Sequence, residues 1–184
     1  MIYESRYWKQ PLVRSAGWLE KVLIKDGELS ERDLARAERE MFIGFYAVRK
    51  LLETFKLSEA TKHLTYDLTF YPVRQDASVD YFNRSDIHEH YEFDKGVADR
   101  KDVGFICNQV IHSFVFVLTL AESGAEGAFL ASDTMRHRRL YFIPLEHIVH
   151  LFRTVGRDYP AQQNFVRDEK TGQWKVIDDA LLRH

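Results

Sequence analysis

The stretch 30-SERDLARAEREMFIGFYAVRKLLETF-55 decides the fold. Leu34, Ala37, Met41, Phe45, Val48, Leu52 and Phe55 follow one another in it at steps of three and four, the apolar stripe of a long amphipathic helix. Ser30 stands where an N-cap is wanted and Asp33 where a capping box places its acid, while Leu29 and Leu34 occupy the two positions of a hydrophobic staple. At 1.5 Å per residue such a helix would run ~39 Å, the width of a small domain. From Met41 to Val48 the apolar residues go almost all the way round, so this turn is expected to be buried on more than one side. Gly44 in its middle costs roughly 1 kcal/mol relative to Ala, and the close approach of another backbone is the expected compensation.

Working outward toward the N-terminus, Trp8, Leu12, Ala16, Leu19 and Leu23 repeat at helical spacing, and Pro11 places the start of regular helix near Gln10, with an end near Ile24. Lys25 to Glu28 is turn chemistry, with Gly27 available to end the helix, so the first two helices are expected to lie antiparallel as a hairpin. Ser58 can cap one further short turn through Lys62. Beyond it the period changes to two: Leu64, Tyr66, Leu68 and Phe70 alternate with polar residues, a half-buried strand closed by Pro72.

Arg74 to Arg84 reads as loop and Ile87 to Phe93 as a second strand. Asp99 is the expected N-cap of a helix carrying Val103, Ile106, Val110 and Ile111 through about His112. Phe114–Leu120, Ala128–Ala131 and Leu140–Ile143 form an expected antiparallel meander whose first strand is buried on both faces. Leu145, Ile148, Val149, Phe152 and Val155 make a last amphipathic helix ended by Gly156, and Phe165–Arg167 and Trp174–Ile177 flank a hairpin loop. The class is α+β: an N-terminal antiparallel helical hairpin packed on a mainly antiparallel sheet with two further helices, in one domain spanning 1–184.

Composition narrows the function classes. Lys+Arg 26 against Asp+Glu 28 leaves a net charge of -2, which supplies no overall attraction to phosphate backbones or anionic lipid. A nucleic-acid partner would need a local basic patch. The single cysteine, Cys107, excludes an internal disulfide and a Cys-rich zinc site. It sits in an apolar setting and reads as a small core residue. No secretory leader or membrane-length apolar run is seen, so a cytoplasmic protein without a membrane partner is expected.

Three candidate sites stand out. His88 and His90 alternate on the expected strand, ~6.7 Å apart on one face, a spacing from which two imidazoles can converge on a divalent transition metal; otherwise no cofactor is expected. The alternative is an exposed polar strand face. Asn108 and His112 are four apart on the expected helix, and the same row continues back through Gly104 to Arg100, so all could share a face. An Asn with a His one turn later can polarise a hydroxyl and move a proton near neutral pH. The structural alternative is a hydrogen-bonded pair tying the helix to the sheet, with His112 at least half buried, and this is the expected outcome. Third, the turn Arg136-His137-Arg138-Arg139 offers forked cations to a phosphate-bearing ligand, or else is a solvated hairpin tip. No aromatic platform is interleaved with it in sequence. His147 and His150 read as exposed residues opposite the apolar stripe of the last helix.

The Asn108 and His112 pair resembles part of the active-site motif of HEPN ribonucleases, all-helical proteins often found in bacterial toxin and defence systems. In that family an Arg precedes the polar residue; Cys107 holds that place here, while Arg84 and His90 match the family's loose arginine-to-histidine spacing. The likeness covers these few residues, and it implies metal-free RNA cleavage.

With no strong catalytic motif and abundant aromatics, the preferred expectation is a non-catalytic domain that binds a protein or small ligand through the sheet or the region from Tyr66 to Tyr91. The alternative is a hydrolase, either a metal-free ribonuclease using Asn108 and His112 or a metal-dependent enzyme using His88 and His90.

Overall fold

The computed structural model describes residues 2–23, 30–119, 127–160 and 164–177. The decisive stretch is helix α2, Glu31–Leu52, preceded by α1, Arg6–Leu23. The Ser30 side chain accepts from the Asp33 backbone N–H, and its hydroxyl donates to the Asp33 carboxylate at 2.7 Å. The capping pair therefore forms with Asp33 turned toward the hydroxyl rather than the cap backbone. The turn at 25–28 and the staple residue Leu29 lie outside the described residues. Helix α1 starts four residues earlier than Pro11 suggests and carries the proline inside its second turn. Ser15 donates to Glu40 at 2.5 Å and Arg36 lies 4.2 Å over the Trp18 ring, joining the two helices of the hairpin.

A short α3, Glu59–Lys62, capped by Ser58, leads into strand β1, Thr65–Pro72. The segment expected to be a second strand is instead a single helical turn, α4, Ile87–His90, followed by a 3-10 turn at Phe93–Lys95. Only Tyr91 pairs as a strand residue would, in an isolated bridge to Val73. The second strand proper, β2, is Val97–Asp102, in antiparallel register with β1 so that Asp67 faces Arg100. Helix α5 then spans Val103–Ile111, its N-cap Asp102 rather than Asp99. Two aspartates three residues apart each satisfied the capping pattern. Pairing with β1 extends through Asp102 and moves the helix start to the second of them.

Strands β3 (Ser113–Thr119), β4 (Gly127–Ser132) and β5 (Arg139–Pro144) form the meander, helix α6 is Leu145–Arg157, and β6 (Asn164–Arg167) pairs with β7 (Trp174–Ile177) as a separate hairpin. The main sheet runs β2-β1-β5-β4-β3 with every neighbouring pair antiparallel. The expected architecture is therefore present: a helical hairpin on an antiparallel sheet with α5 and α6 as the two further helices. The position of β3 differs from expectation. It is an edge strand and mostly half-buried, because α5 carries the chain from β2 at one edge to the other. Phe116 and Leu118 pack toward the helical layer and Val115 and Val117 toward the opposite face, which explains the unbroken apolar run.

The main core lies between the helices and one face of the sheet. A smaller cluster of Val79, Ile87, Tyr91, Val115, Ala131 and Leu140 covers the other face, under the 73–95 segment. Gly44 is buried as expected, but its neighbour is a ring and not a backbone: a Cβ there would stand 2.2 Å from Phe152 Cζ. Gly156 does not end α6. It lets the helix approach α1, where a Cβ would meet Val13 Cγ2 at 2.6 Å and the Lys9 carbonyl oxygen at 2.9 Å. Gly44→Ala is expected to destabilise by about 1–2 kcal/mol in urea titration. Overpacking a core costs roughly 1–3 kcal/mol, and the helix-propensity gain returns only about 1. With Phe152→Leu already in place the same change should become neutral or stabilising; an equal cost in both backgrounds would show that the ring is not the obstacle.

A candidate ligand cleft beside the edge strand

Three elements surround a cleft of ≈ 410 Å³: Glu38 and Phe42 from α2, Tyr81, Arg84 and Ser85 from the loop before α4, and Ser113, Phe114 and Phe116 from β3. Glu38 and Phe42 are one turn apart and so share a helix face. Phe42 packs on Phe116 with ring centroids 4.8 Å apart, closing the floor against the core.

The loop is built by local hydrogen bonds. Asp80 accepts from the N–H groups of Phe82 and Asn83, and the Asn83 side chain accepts from Asp80 N–H and donates to the Ser78 carbonyl. Val79 anchors it in the smaller cluster. Its far end is held by His90, 8% exposed, whose Nε2 donates to the Asn83 carbonyl at 3.2 Å. Tyr81 and Phe82, in edge contact with each other, are left 65% and 92% exposed.

Arg84 is the cation of the cleft. Its guanidinium lies 4.5 Å from the Tyr81 ring centre and 5.9 Å from that of Phe114, and it makes no ion pair with any described carboxylate. Arg136 packs closer on Phe114, at 3.8 Å, with its Nε 3.5 Å from Asp133. It does not line the cleft but backs one of its walls. Its turn is pinned by the Tyr91 hydroxyl, which donates to the Arg136 carbonyl at 2.7 Å. Ser113 Oγ is buried and has no hydrogen-bond partner among the described residues.

The sequence candidates are distributed differently from their expected groupings. Arg136 backs the cleft wall through Phe114, and the aromatic ring missing from its own segment is supplied by β3. Arg139 is taken elsewhere, over Phe70 at 4.2 Å and beside Asp99 at 3.5 Å, while His137 and Arg138 are exposed. His88 and His90 do not share a strand face, since two steps along a helical turn point side chains to nearly opposite sides. His88 is exposed and stacks on Phe93 with centroids 4.6 Å apart, while His90 is buried on the loop. No group of three or more His, Cys, Asp or Glu among the described residues could hold a metal ion.

The helical row through Arg100 is not formed either. Arg100 is on β2, donating to Thr65 Oγ1 at 3.0 Å and lying 3.7 Å from Asp67. Asn108 is exposed, and His112, the C-cap of α5, is exposed too, against the expectation that it would be at least half buried. The buried polar residue of α5 is its neighbour Gln109, which accepts from Ser132 N–H at 3.1 Å. Cys107 is fully buried, and burial pushes its thiol up to about 12, far from a nucleophile's range. His147 is partly buried on the Tyr66 ring, and His150 Nδ1 lies 2.8 Å from the Tyr66 hydroxyl. Of the tyrosines from Tyr66 to Tyr91, only Tyr81 presents an exposed ring; Tyr66 and Tyr91 are core residues.

Burial raises the phenols of Tyr66 and Tyr91 to about 12 from an ordinary value of 10.0. A folded-state pKa above the unfolded one gives stability that is complete below pH 10 and is lost as pH rises toward 12. The loss is on the order of 2 to 3 kcal/mol per phenol. Tyr91→Phe should flatten that alkaline fall in a series of urea titrations, and an unchanged slope would show that the phenol ionises freely in the folded protein.

No family of known proteins, no curated protein and no solved structure matches the chain. No helix among the described residues is long and apolar enough to cross a membrane.

Proposed function

We propose that this chain is a non-catalytic ligand-binding domain whose site is the cleft between α2, the Tyr81 loop and β3, and whose ligand carries negative charge. The observation that supports this is Arg84, a guanidinium at a concave surface, held only by aromatic rings and without a carboxylate partner among the described residues. An arginine so placed keeps its forked donors for an incoming oxyanion. A cleft of ≈ 410 Å³ is also within the roughly 300–1,000 Å³ of small-molecule sites. The ribonuclease reading has Asn108 and His112 exposed on one helix face in its favour, but Arg100 stands on a different element.

Inorganic pyrophosphate is the simplest probe. At a hundred times its dissociation constant it should stabilise the protein by about 2.7 kcal/mol, seen as a rise in Tm. Arg84→Ala should remove that rise while leaving the Tm without ligand nearly unchanged, because Arg84 is exposed. A rise that survives Arg84→Ala would contradict the proposal.

A further inference from the structure

We infer that the cleft takes a nucleotide, free or as one unit of a single strand, with its phosphate on Arg84, its base among the aromatic rings and its hydroxyl or amino donors toward Glu38. The inference rests on the ligand-binding reading above and adds the class of ligand.

An inorganic anion alone would use only part of the site. It would leave the exposed part of the Tyr81 ring unused, and it would leave unmatched the carboxylate of Glu38, which lines the same cleft and makes no ion pair with a described cation. A carboxylate and a guanidinium that line one cleft without pairing with each other select a ligand that is anionic in one part and rich in N–H or O–H donors in another. The aromatic side chains in the same lining, Phe42, Tyr81, Phe114 and Phe116, select a ligand with a planar part. A nucleotide has all three parts: phosphate, base, and a sugar diol or exocyclic amine. Base stacking on aromatic side chains with arginine nearby is how single strands are held without reading sequence. Tyr81 stands 65% exposed in the cleft lining, on the loop that carries Arg84, where such a base would meet it. Ser85, exposed in the lining of the same cleft, adds a neutral donor for a phosphate oxygen.

Calorimetric titration of the full chain tests this with the four ribonucleoside 5′-monophosphates, adenosine, phenyl phosphate, inorganic pyrophosphate and a short single-stranded RNA. At least one monophosphate should saturate the protein. Arg84→Ala should weaken it by roughly tenfold or more, the loss expected for a hydrogen bond to a charged group. Tyr81→Ala should weaken the monophosphate by about tenfold and pyrophosphate hardly at all, because stacking on an aromatic side chain is worth roughly 1–3 kcal/mol per base. RNA tighter than every monophosphate would assign the ligand to a polymer, and the reverse to a free nucleotide; both support the inference. Phenyl phosphate as tight as the best monophosphate would overturn it in favour of a phosphoaryl ligand such as a phosphotyrosine side chain. Pyrophosphate binding through Arg84 with no nucleotide binding would overturn the inference and leave the anion-binding proposal standing; no binding by any probe would remove both. RNA that is cut, and is no longer cut after His112→Ala, would replace binding with hydrolysis.

Discussion

Phe45→Ala is expected to cost the fold about 3–5 kcal/mol, the range for truncating a buried aromatic. Phe45 is 1% exposed in the middle of α2, and its ring meets that of Phe152 edge-on with centroids 5.2 Å apart. This pair joins the helix that organises the sequence to α6, which in turn packs on α1. Losing the ring would leave a cavity between α2 and α6. Much of the stability of a protein of this size, roughly 5–15 kcal/mol, would go with it. Urea denaturation reads the change directly, and an unchanged midpoint would show that this face of α2 is not buried.

Lys9→Met is the second large effect, at about 2–5 kcal/mol. Lys9 is fully buried, an unusual place for lysine. Its ammonium donates to the Lys56 carbonyl at 2.5 Å and to the Asp158 carbonyl, and it lies 4.4 Å over the Tyr159 ring. One side chain of α1 thereby fastens the segment after α2 and the end of α6. Desolvation by burial lowers its pKa from the ordinary lysine value, opposed by the Asp158 carboxylate. Methionine keeps the apolar stem and deletes the donors, leaving two carbonyls whose unmet demand costs roughly 1–3 kcal/mol each. A measured cost under about 1 kcal/mol would mean that water replaces the ammonium at the two carbonyls.

What could be read from the chain follows the range of each signal. Helix α2 and its Ser30 cap were legible because period and capping act within a few residues. The α+β class followed from the change of period at Leu64. Ile87–Phe93 misled because four helical residues carry too little of a period to be told from a strand, and Val97–Asp102 because an edge strand this charged shows no apolar alternation. The edge position of β3 depends on which strands pair, a tertiary choice that its own apolar run does not express. For the same reason the cleft was not visible. Arg136 stood out, but its partner Phe114 and the arginine that lines the site, Arg84, come from other parts of the chain. Arg84 was noticed only for its spacing to His90, and the tie between them is that His90 holds the loop on which Arg84 stands.

The proposed ligand surface is the concavity formed by α2, the Tyr81 loop and β3. The most direct test is an NMR titration of the isotope-labelled chain with inorganic pyrophosphate, following the backbone amides. Saturable shifts are expected, concentrated at Tyr81, Arg84 and Ser85 and at Ser113, Phe114 and Phe116, and absent in Arg84→Ala. Shifts confined to the His137, Arg138 and Arg139 turn, or none at all, would contradict it.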